Sequence, residues 1–280
     1  MKKKIVFIIL VAISIFMCFP VIFLLAGSFM SVDELNSYLE PVLAEKSKGY
    51  VSWGLLPSYP TLRAYVELLF DTPEFFVMFW NSVNIAFFIL LGQLLVGVAA
   101  AWGFARYDFP YKKILFTIYI IVMLMPFQVT MLSSYLVLDA MHLINTRLSL
   151  IMPAIFSTFP VFIMYRFFRN IPESIIESAR IDGAGEFKIF IKIGVPLGLP
   201  GIMSAMILGF LEYWNLIEQP LTFIKDKSKW PLSLYLPNIG LENSEMAFSA
   251  SVITLITALL VFFAGESYLE QGIAASAVKE

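Results

Sequence analysis

Charge is scarce in this chain: only 14% of its 280 residues are Asp, Glu, Lys or Arg, while 59% are hydrophobic. A soluble domain carries roughly 25% charged residues, and a water-soluble fold cannot hide this much apolar surface. Cysteine is almost missing. Cys18 is the only one and falls inside the first apolar run, which excludes an intrachain disulfide and a cysteine-built metal site. The residues ahead of it lack the small side chains that a lipoprotein signal needs. Histidine is equally rare: His142, near Asp139, has no second histidine to share a metal or a proton, so neither a metal ligand nor a catalytic residue is assigned. The 19 basic and 21 acidic residues nearly cancel, which argues against nucleic acid as a partner. No Gly-x-x-x-x-Gly-Lys-[Ser/Thr] occurs to cradle a nucleotide, and Gly183-Ala-Gly185 is too short to replace it. His-Glu-x-x-His, paired intramembrane aspartates and a histidine within an apolar run are all missing too, which excludes an intramembrane enzyme of a familiar kind.

What is present is a set of long apolar runs. A helix needs about 20 mostly apolar residues to cross the hydrocarbon core, because only a helix satisfies its own backbone there. Six stretches qualify: 5–25, 79–105, 114–138, 148–168, 199–217 and 247–263. The expected fold is an all-α membrane protein of six transmembrane helices. The first run follows Lys2, Lys3 and Lys4 as a secretory signal would, but it is longer than a signal core and reads as a retained helix. Six crossings place both termini on one side. That side collects most of the 19 basic residues, including Arg106, Lys112, Lys113, Arg166, Arg169, Arg180, Lys188, Lys192 and Lys279, so both termini are expected in the cytoplasm.

Three regions follow from this reading: residues 1–76, with the first helix and an exported loop; 77–269, the transmembrane core; and 270–280, a cytoplasmic tail. In the exported loop Leu62, Tyr65, Leu68 and Leu69 recur at helical spacing after Thr61, with Trp53, Tyr59, Phe75, Phe76 and Trp80 nearby. An amphipathic helix resting on membrane lipid fits that pattern.

The stretch 170–196 between the fourth and fifth runs is the most distinctive. Pro172 suits a first helical turn, Glu173 and Glu177 lie toward its start, and Gly183 can close a short helix. A second helix would begin near Glu186 and end at Pro196 and Pro200. Ile175, Ile176, Ala179, Ala184 and Phe187 would form an apolar ridge, either lying on lipid headgroups or docking in a groove on a partner. In the fifth run Glu212, Asn215 and Gln219 fall at i, i+3 and i+7, with Ser204 at the edge, so the carboxylate is expected to face partner helices or a water-filled path. Tyr213 and Trp214 beside them suit packing or stacking on a solute. Asn81, Asn84, Gln93, Gln128, Ser251, Thr254 and Thr257 read as interhelical hydrogen-bond formers or further lining.

Glu177-Ser178-Ala179, then Asp182-Gly183-Ala184, then Ile193 and Pro196 resemble the cytoplasmic signature of binding-protein-dependent ABC importer permeases. Asn81-Ser82, Ala105-Arg106-Tyr107, Lys112-Lys113, Pro126 with Gln128, Tyr213-Trp214-Asn215 and the end from Gly272-Ile273 to Ala277-Val278-Lys279 are similar to the maltose-type carbohydrate branch. Ser178 departs from the usual alanine, and Leu216 stands where an acidic residue commonly follows. The resemblance implies a type I importer permease fold in a bacterial inner membrane, passing a carbohydrate into the cytoplasm by alternating access. It implies a second, homologous permease subunit, two ATP-binding subunits that carry the ATP and Mg, and an extracytoplasmic solute-binding protein. It also implies that Glu177, Ser178, Ala179, Asp182, Gly183 and Ala184 couple to the ATPase: Gly183 as the tight turn, Glu177 and Asp182 through polar contacts, Ala179 and Ala184 through close approach. The alternative is a secondary transporter driven by an ion gradient, which matched halves with broken helices would favour.

Overall fold

The computed structural model describes residues 2–43, 54, 56–235 and 243–277, and every regular element among them is helical. In chain order these are α1 (Lys2–Gly27), α2 (Val32–Leu43), α3 (Arg63–Val66, prolonged by a π-turn at Glu67–Asp71) and α4 (Pro73–Gly92). A π-turn at Gln93–Gly97 joins α4 to α5 (Val98–Arg106), and α6 (Lys112–Leu124), α7 (Phe127–Ala140), α8 (Leu148–Ile155) and α9 (Thr158–Asn170) follow. Next come α10 (Glu173–Ile181), α11 (Glu186–Ile189), α12 (Val195–Trp214), α13 (Glu218–Phe223) and α14 (Ser244–Ala277). Among the described residues, five helical stretches are long and apolar enough to cross a membrane: Lys3–Gly27, Pro73–Arg106, Leu148–Asn170, Glu186–Trp214 and Ser244–Gln271.

The third apolar run departs from the expectation of one straight span. It is broken into α6 and α7, which meet at 104°. Met125 is extended, with φ −74° and ψ 123°, and Pro126 follows with φ −67° and ψ 148°. A proline lacks the N–H that would continue the helix and drives the residue before it out of the helical region. Hydropathy registers composition over the whole run and is blind to this two-residue interruption.

Pro196 and Pro200 likewise do not end a helix. From Glu186 the chain runs 29 residues to Trp214 without a break, passing through a π-turn at Phe190–Gly194. The wider turn just ahead of Pro196 gives its ring room against the preceding backbone. The second helix of the 170–196 stretch is therefore the first part of the fifth span.

The chain forms two compact units. The first comprises Met1–Val77 and Leu234–Thr257. Its buried members include Ser28, Met30, Leu35, Ala64, Leu68, Phe75 and Val252. The Tyr65 hydroxyl donates to Ser28 Oγ at 2.7 Å, and the Phe23 and Phe248 rings meet edge to face at 5.7 Å. The face of α3 differs from the expected one: Leu68 points inward and Tyr65 is half-buried, while Leu62, Val66 and Phe70 form the outer stripe. Trp53 lies outside the described residues. Most of α1 is exposed, with Phe7 at 67% and Phe16 at 76%, as suits a helix whose solvent is lipid.

The second unit comprises Met78–Ser233 and Ala258–Glu280. Its packing centres on one face of the long helix, where Gly194, Gly198 and Gly201 recur at i, i+4 and i+7. A Cβ on these would lie 2.5 Å from the Trp102 ring, 2.2 Å from Phe168 and 2.4 Å from Phe167. The rings come from α5 and α9, and Trp102 and Phe168 cross at 89°. Around them Val98, Met164, Ile202 and Ala205 complete a core. A second cluster joins Ile85, Ile89, Leu138, Leu150, Tyr213 and Phe223. Beyond it, polar bonds replace packing. Asn81 Nδ2 donates to the carbonyls of Ser228 and Trp230, Leu232 N donates to Ser82 Oγ, and Asn145 Oδ1 accepts from the backbone of Lys225 and Asp226.

Substituting Gly198→Ala should place a methyl inside the Phe168 ring and destabilise the purified protein by about 1–3 kcal/mol. Thermal unfolding in detergent, followed by tryptophan fluorescence, checks this. Gly103→Ala, where nothing lies within 4 Å of the new carbon, should be neutral.

Candidate functional site

Two features of the second unit carry chemistry: the turn after α10 and a cavity near the other end of α12.

The turn is dictated locally. After Ile181 the chain leaves the helix through Asp182 into Gly183, whose φ of +78° is a left-handed conformation that favours glycine. Gly183 N donates to the Arg180 carbonyl at 3.0 Å and Ala184 N to the Ala179 carbonyl at 2.9 Å. This pair of bonds is a Schellman closure, which satisfies carbonyls that the helix end would otherwise leave bare.

One side of α10 is anchored within the chain. Ile176 is 1% exposed and Ala179 9%, and both belong to the core that holds Trp102, Met164 and Phe168. The apolar ridge expected to lie on lipid headgroups or to dock on a partner is thereby split: Ile175 and Phe187 stay exposed while Ile176 and Ala179 turn inward. Helical periodicity fixes which residues share a face but not which way that face turns, and the bundle claims Ile176 and Ala179. Ala184 is half-buried against the same core. Glu177, Ser178, Asp182 and Gly183 remain on the outside. Three apolar side chains join them there: Ile175, 40% exposed, Ile181, 86%, and Phe187, 77%. Ile181 did not stand out in the sequence because it lies off the expected ridge.

Arg106, at the end of α5, fastens α10 electrostatically. Its side chain is only 8% exposed. It donates to Glu173 Oε2 at 2.9 Å and to the carbonyls of Phe168 at 2.6 Å and Ile171, and lies 5.6 Å from the centre of the Trp102 ring. The cation thus sits at the carboxyl end of α9, where the helix dipole favours it. Arg180 continues the chain of charges, pairing with Glu186 at 2.7 Å and with Glu173 at 3.5 Å. Its hydrogen bond to Glu186 holds the Arg180 guanidinium above its ordinary pKa. Tyr107 also donates to Glu186, at 3.2 Å.

The cavity, about 540 Å³, is bounded by the bend at Met125 and Phe127, by α8 and α9, and by the end of α12. Glu212, Tyr213 and Gln219 line it, together with the hydroxyls of Thr130, Ser134, Ser157 and Thr158. The expected single stripe of Glu212, Asn215 and Gln219 is not one helical face, because α12 stops at Trp214 and Gln219 belongs to α13. The turn at 215–217 nonetheless returns Gln219 to the same wall as Glu212. Asn215 is the cap residue of α12, and its amide donates to the Leu211 carbonyl at 2.8 Å. Trp214 is 1% exposed and stacks on Phe210. Neither Asn215 nor Trp214 is among the residues that line the cavity.

Three of the remaining polar candidates tie helices together, and the others bond within their own helix. Gln93 Nε2 donates to the Ala154 carbonyl and to the Tyr213 hydroxyl, both at 2.8 Å. Ser204 Oγ lies 2.8 Å from the carbonyls of Pro200 and Tyr268. Gln128 Nε2 donates to both oxygens of Glu218. Ser251, Thr254 and Thr257 bond back to carbonyls one turn earlier, and Asn84 does the same to Trp80. His142 takes a left-handed φ of 56° in the turn after α7. Val278 and Lys279 lie outside the described residues.

A broken span, an anchored surface turn and a polar cavity within a helical body suit a membrane transport subunit. Residues 93–273 match the family described as binding-protein-dependent transport system inner membrane component, and the chain belongs to that family as a multi-pass inner-membrane protein. A probable ABC transporter permease protein of Pyrococcus horikoshii is 33% identical over 79% of this chain and 82% of its own length. The arabinooligosaccharides transport system permease protein of Bacillus subtilis is 28% identical over 95% of this chain and 92% of its own. Among solved structures, a chain of a bacterial ABC transporter that imports the acidic polysaccharide alginate superposes with a TM-score of 0.79 at 19% identity, covering 95% of this chain and 96% of that one. This likeness shows the fold.

Replacing Arg106 by Lys keeps the charge but cannot span a carboxylate and two carbonyls at once. The loss should loosen α10 by about 1–3 kcal/mol, read as amide exchange about 5- to 150-fold faster over residues 173–181 with little change in α12.

Proposed function

We propose that this chain is one of two homologous permease subunits of an ATP-driven importer and passes a carbohydrate, in oligosaccharide form, into the cytoplasm. The observation that carries the reading is the two-sided character of α10. Its inner side is locked to α5, α9 and α12 through Ile176, Ala179 and Arg106, and its outer side presents Glu177, Ser178, Asp182, Ile181 and, across the turn, Phe187. A surface with exposed apolar side chains among carboxylates, on a helix that cannot move without its bundle, suits a handle gripped by another protein. The partner in this reading is a pair of ATP-binding subunits, which carry the nucleotide and Mg. Their closure would shift the handle and turn the bundle between inward-open and outward-open states.

The second permease subunit would cover α6, which has no buried residue, and an extracytoplasmic solute-binding protein would deliver the solute. Both termini then lie in the cytoplasm, as does the 170–196 stretch. The family is defined by dependence on a binding protein, which sets the ion-gradient alternative aside. The carbohydrate assignment draws on relatives named for arabinooligosaccharides and, at 27% identity in Streptomyces coelicolor, for diacetylchitobiose, and on a cavity rich in hydroxyls.

The double substitution Ile181→Asp with Phe187→Ala changes only exposed side chains and should leave thermal stability within about 0.5 kcal/mol. In the reconstituted transporter it should lower ATPase-subunit retention at least tenfold and abolish ATP-driven uptake. Unchanged uptake would sink the proposed docking surface.

A further inference from the structure

The wall of the 540 Å³ cavity is chemically one-sided. Among the described residues that line it, Glu212 is the only one that carries a formal charge, and no Lys, Arg or His is present. The other polar groups are neutral: hydroxyls such as Ser134, Ser157 and Thr158, the phenol of Tyr213 and the amide of Gln219. Gln93 donates to the Tyr213 hydroxyl, which orients the phenol at the wall.

A sugar carries many hydroxyls, which donate and accept in turn. Such a solute satisfies this wall: its hydroxyls donate to the Glu212 carboxylate in charge-assisted bonds, and the serine, threonine and amide groups serve the rest. A uronate sugar adds a carboxylate to each ring. Moving that carboxylate out of bulk water demands a cation or several aligned donors in exchange, and the wall offers no cation. An ionised Glu212 adds repulsion at short range, where reduced dielectric strengthens it. With the Glu212 charge removed, the hydroxyl and amide donors of the wall are free to serve the uronate, so the discrimination rests on that carboxylate. Fold likeness to an importer of an acidic polysaccharide carries no information on this point, since the fold is set by helix packing and the cargo by side chains on the wall.

We infer that the cavity takes uncharged carbohydrate and turns uronate sugars away, with Glu212 as the residue that sets this discrimination. The inference rests on the carbohydrate reading given above and narrows it.

The test uses the assembled transporter in detergent without its solute-binding protein, so that the selectivity of the delivery protein does not enter. Binding of arabinotriose and of trigalacturonate, matched in length, is followed by saturation-transfer NMR. Arabinotriose should bind at least tenfold more tightly than trigalacturonate. Glu212→Gln should narrow that gap to less than threefold, and Glu212→Lys should reverse it; if the lysine variant does not assemble, the glutamine variant alone decides. Equal binding of the two sugars to the native transporter overturns the inference, including the case in which the second permease subunit supplies a cation. A gap that neither variant alters removes Glu212 from the role. Failure of both sugars to bind overturns the carbohydrate reading itself, and this inference with it.

Discussion

Three aromatic rings lie against bare backbone on one helix, and the transport body is organised around that seating. In lipid there is no hydrophobic force to press one apolar helix on another, so close approach and dispersion decide which helices stay together. Gly194, Gly198 and Gly201 let Trp102, Phe168 and Phe167 come within van der Waals reach of the α12 backbone. Because α5, α9 and α12 meet there, α10 is fastened to all of them when Ile176 and Ala179 enter the same core. The helix that begins at Glu186, paired with Arg180 beside the Gly183 turn, also carries Glu212 into the cavity. The 26 residues between span roughly 40 Å at 1.5 Å each. One continuous helix therefore connects the surface turn to the cavity wall, with the π-turn at Phe190–Gly194 along its length.

Features that depend on neighbouring residues were legible in the sequence. The closure after α10 needs a glycine at one position and little else, and Gly183 adopts the conformation its place implies. The apolar runs likewise mark the spans, because the requirement of about 20 apolar residues is a property of the bilayer. The break at Pro126 was present in the letters but masked by averaging over the run. Pro196 and Pro200 misled in the opposite sense, since a π-turn absorbed what usually ends a helix.

Features that depend on distant partners were not legible. Arg106 looked like one more positive residue at the end of a span, yet its partners are 62, 65 and 67 positions away. The cavity draws its wall from six helices and the bend, so Glu212 and Gln219 share it through chain reversal and not through the helical repeat that first grouped them. That repeat also enrolled Asn215, which the end of α12 uses as a cap. Trp214 shows the converse: an aromatic next to lining residues turns inward once its neighbours Phe79 and Phe210 offer rings to pack on.

The bend between α6 and α7 bears on how the protein enters its membrane. At 13 and 14 residues, these helices are each about 20 Å long, well short of a hydrocarbon core of about 30 Å. Neither can serve as a span alone, and the extended backbone at Met125 and Pro126 would meet lipid with its polar groups bare. In the finished fold that backbone borders the cavity and leans on later segments, with Phe127 against Phe223 and Gln128 against Glu218. These partners are synthesised about 90 residues after the bend, as the separation of Gln128 and Glu218 shows. During biogenesis these contacts of the bend cannot form until α13 has been made.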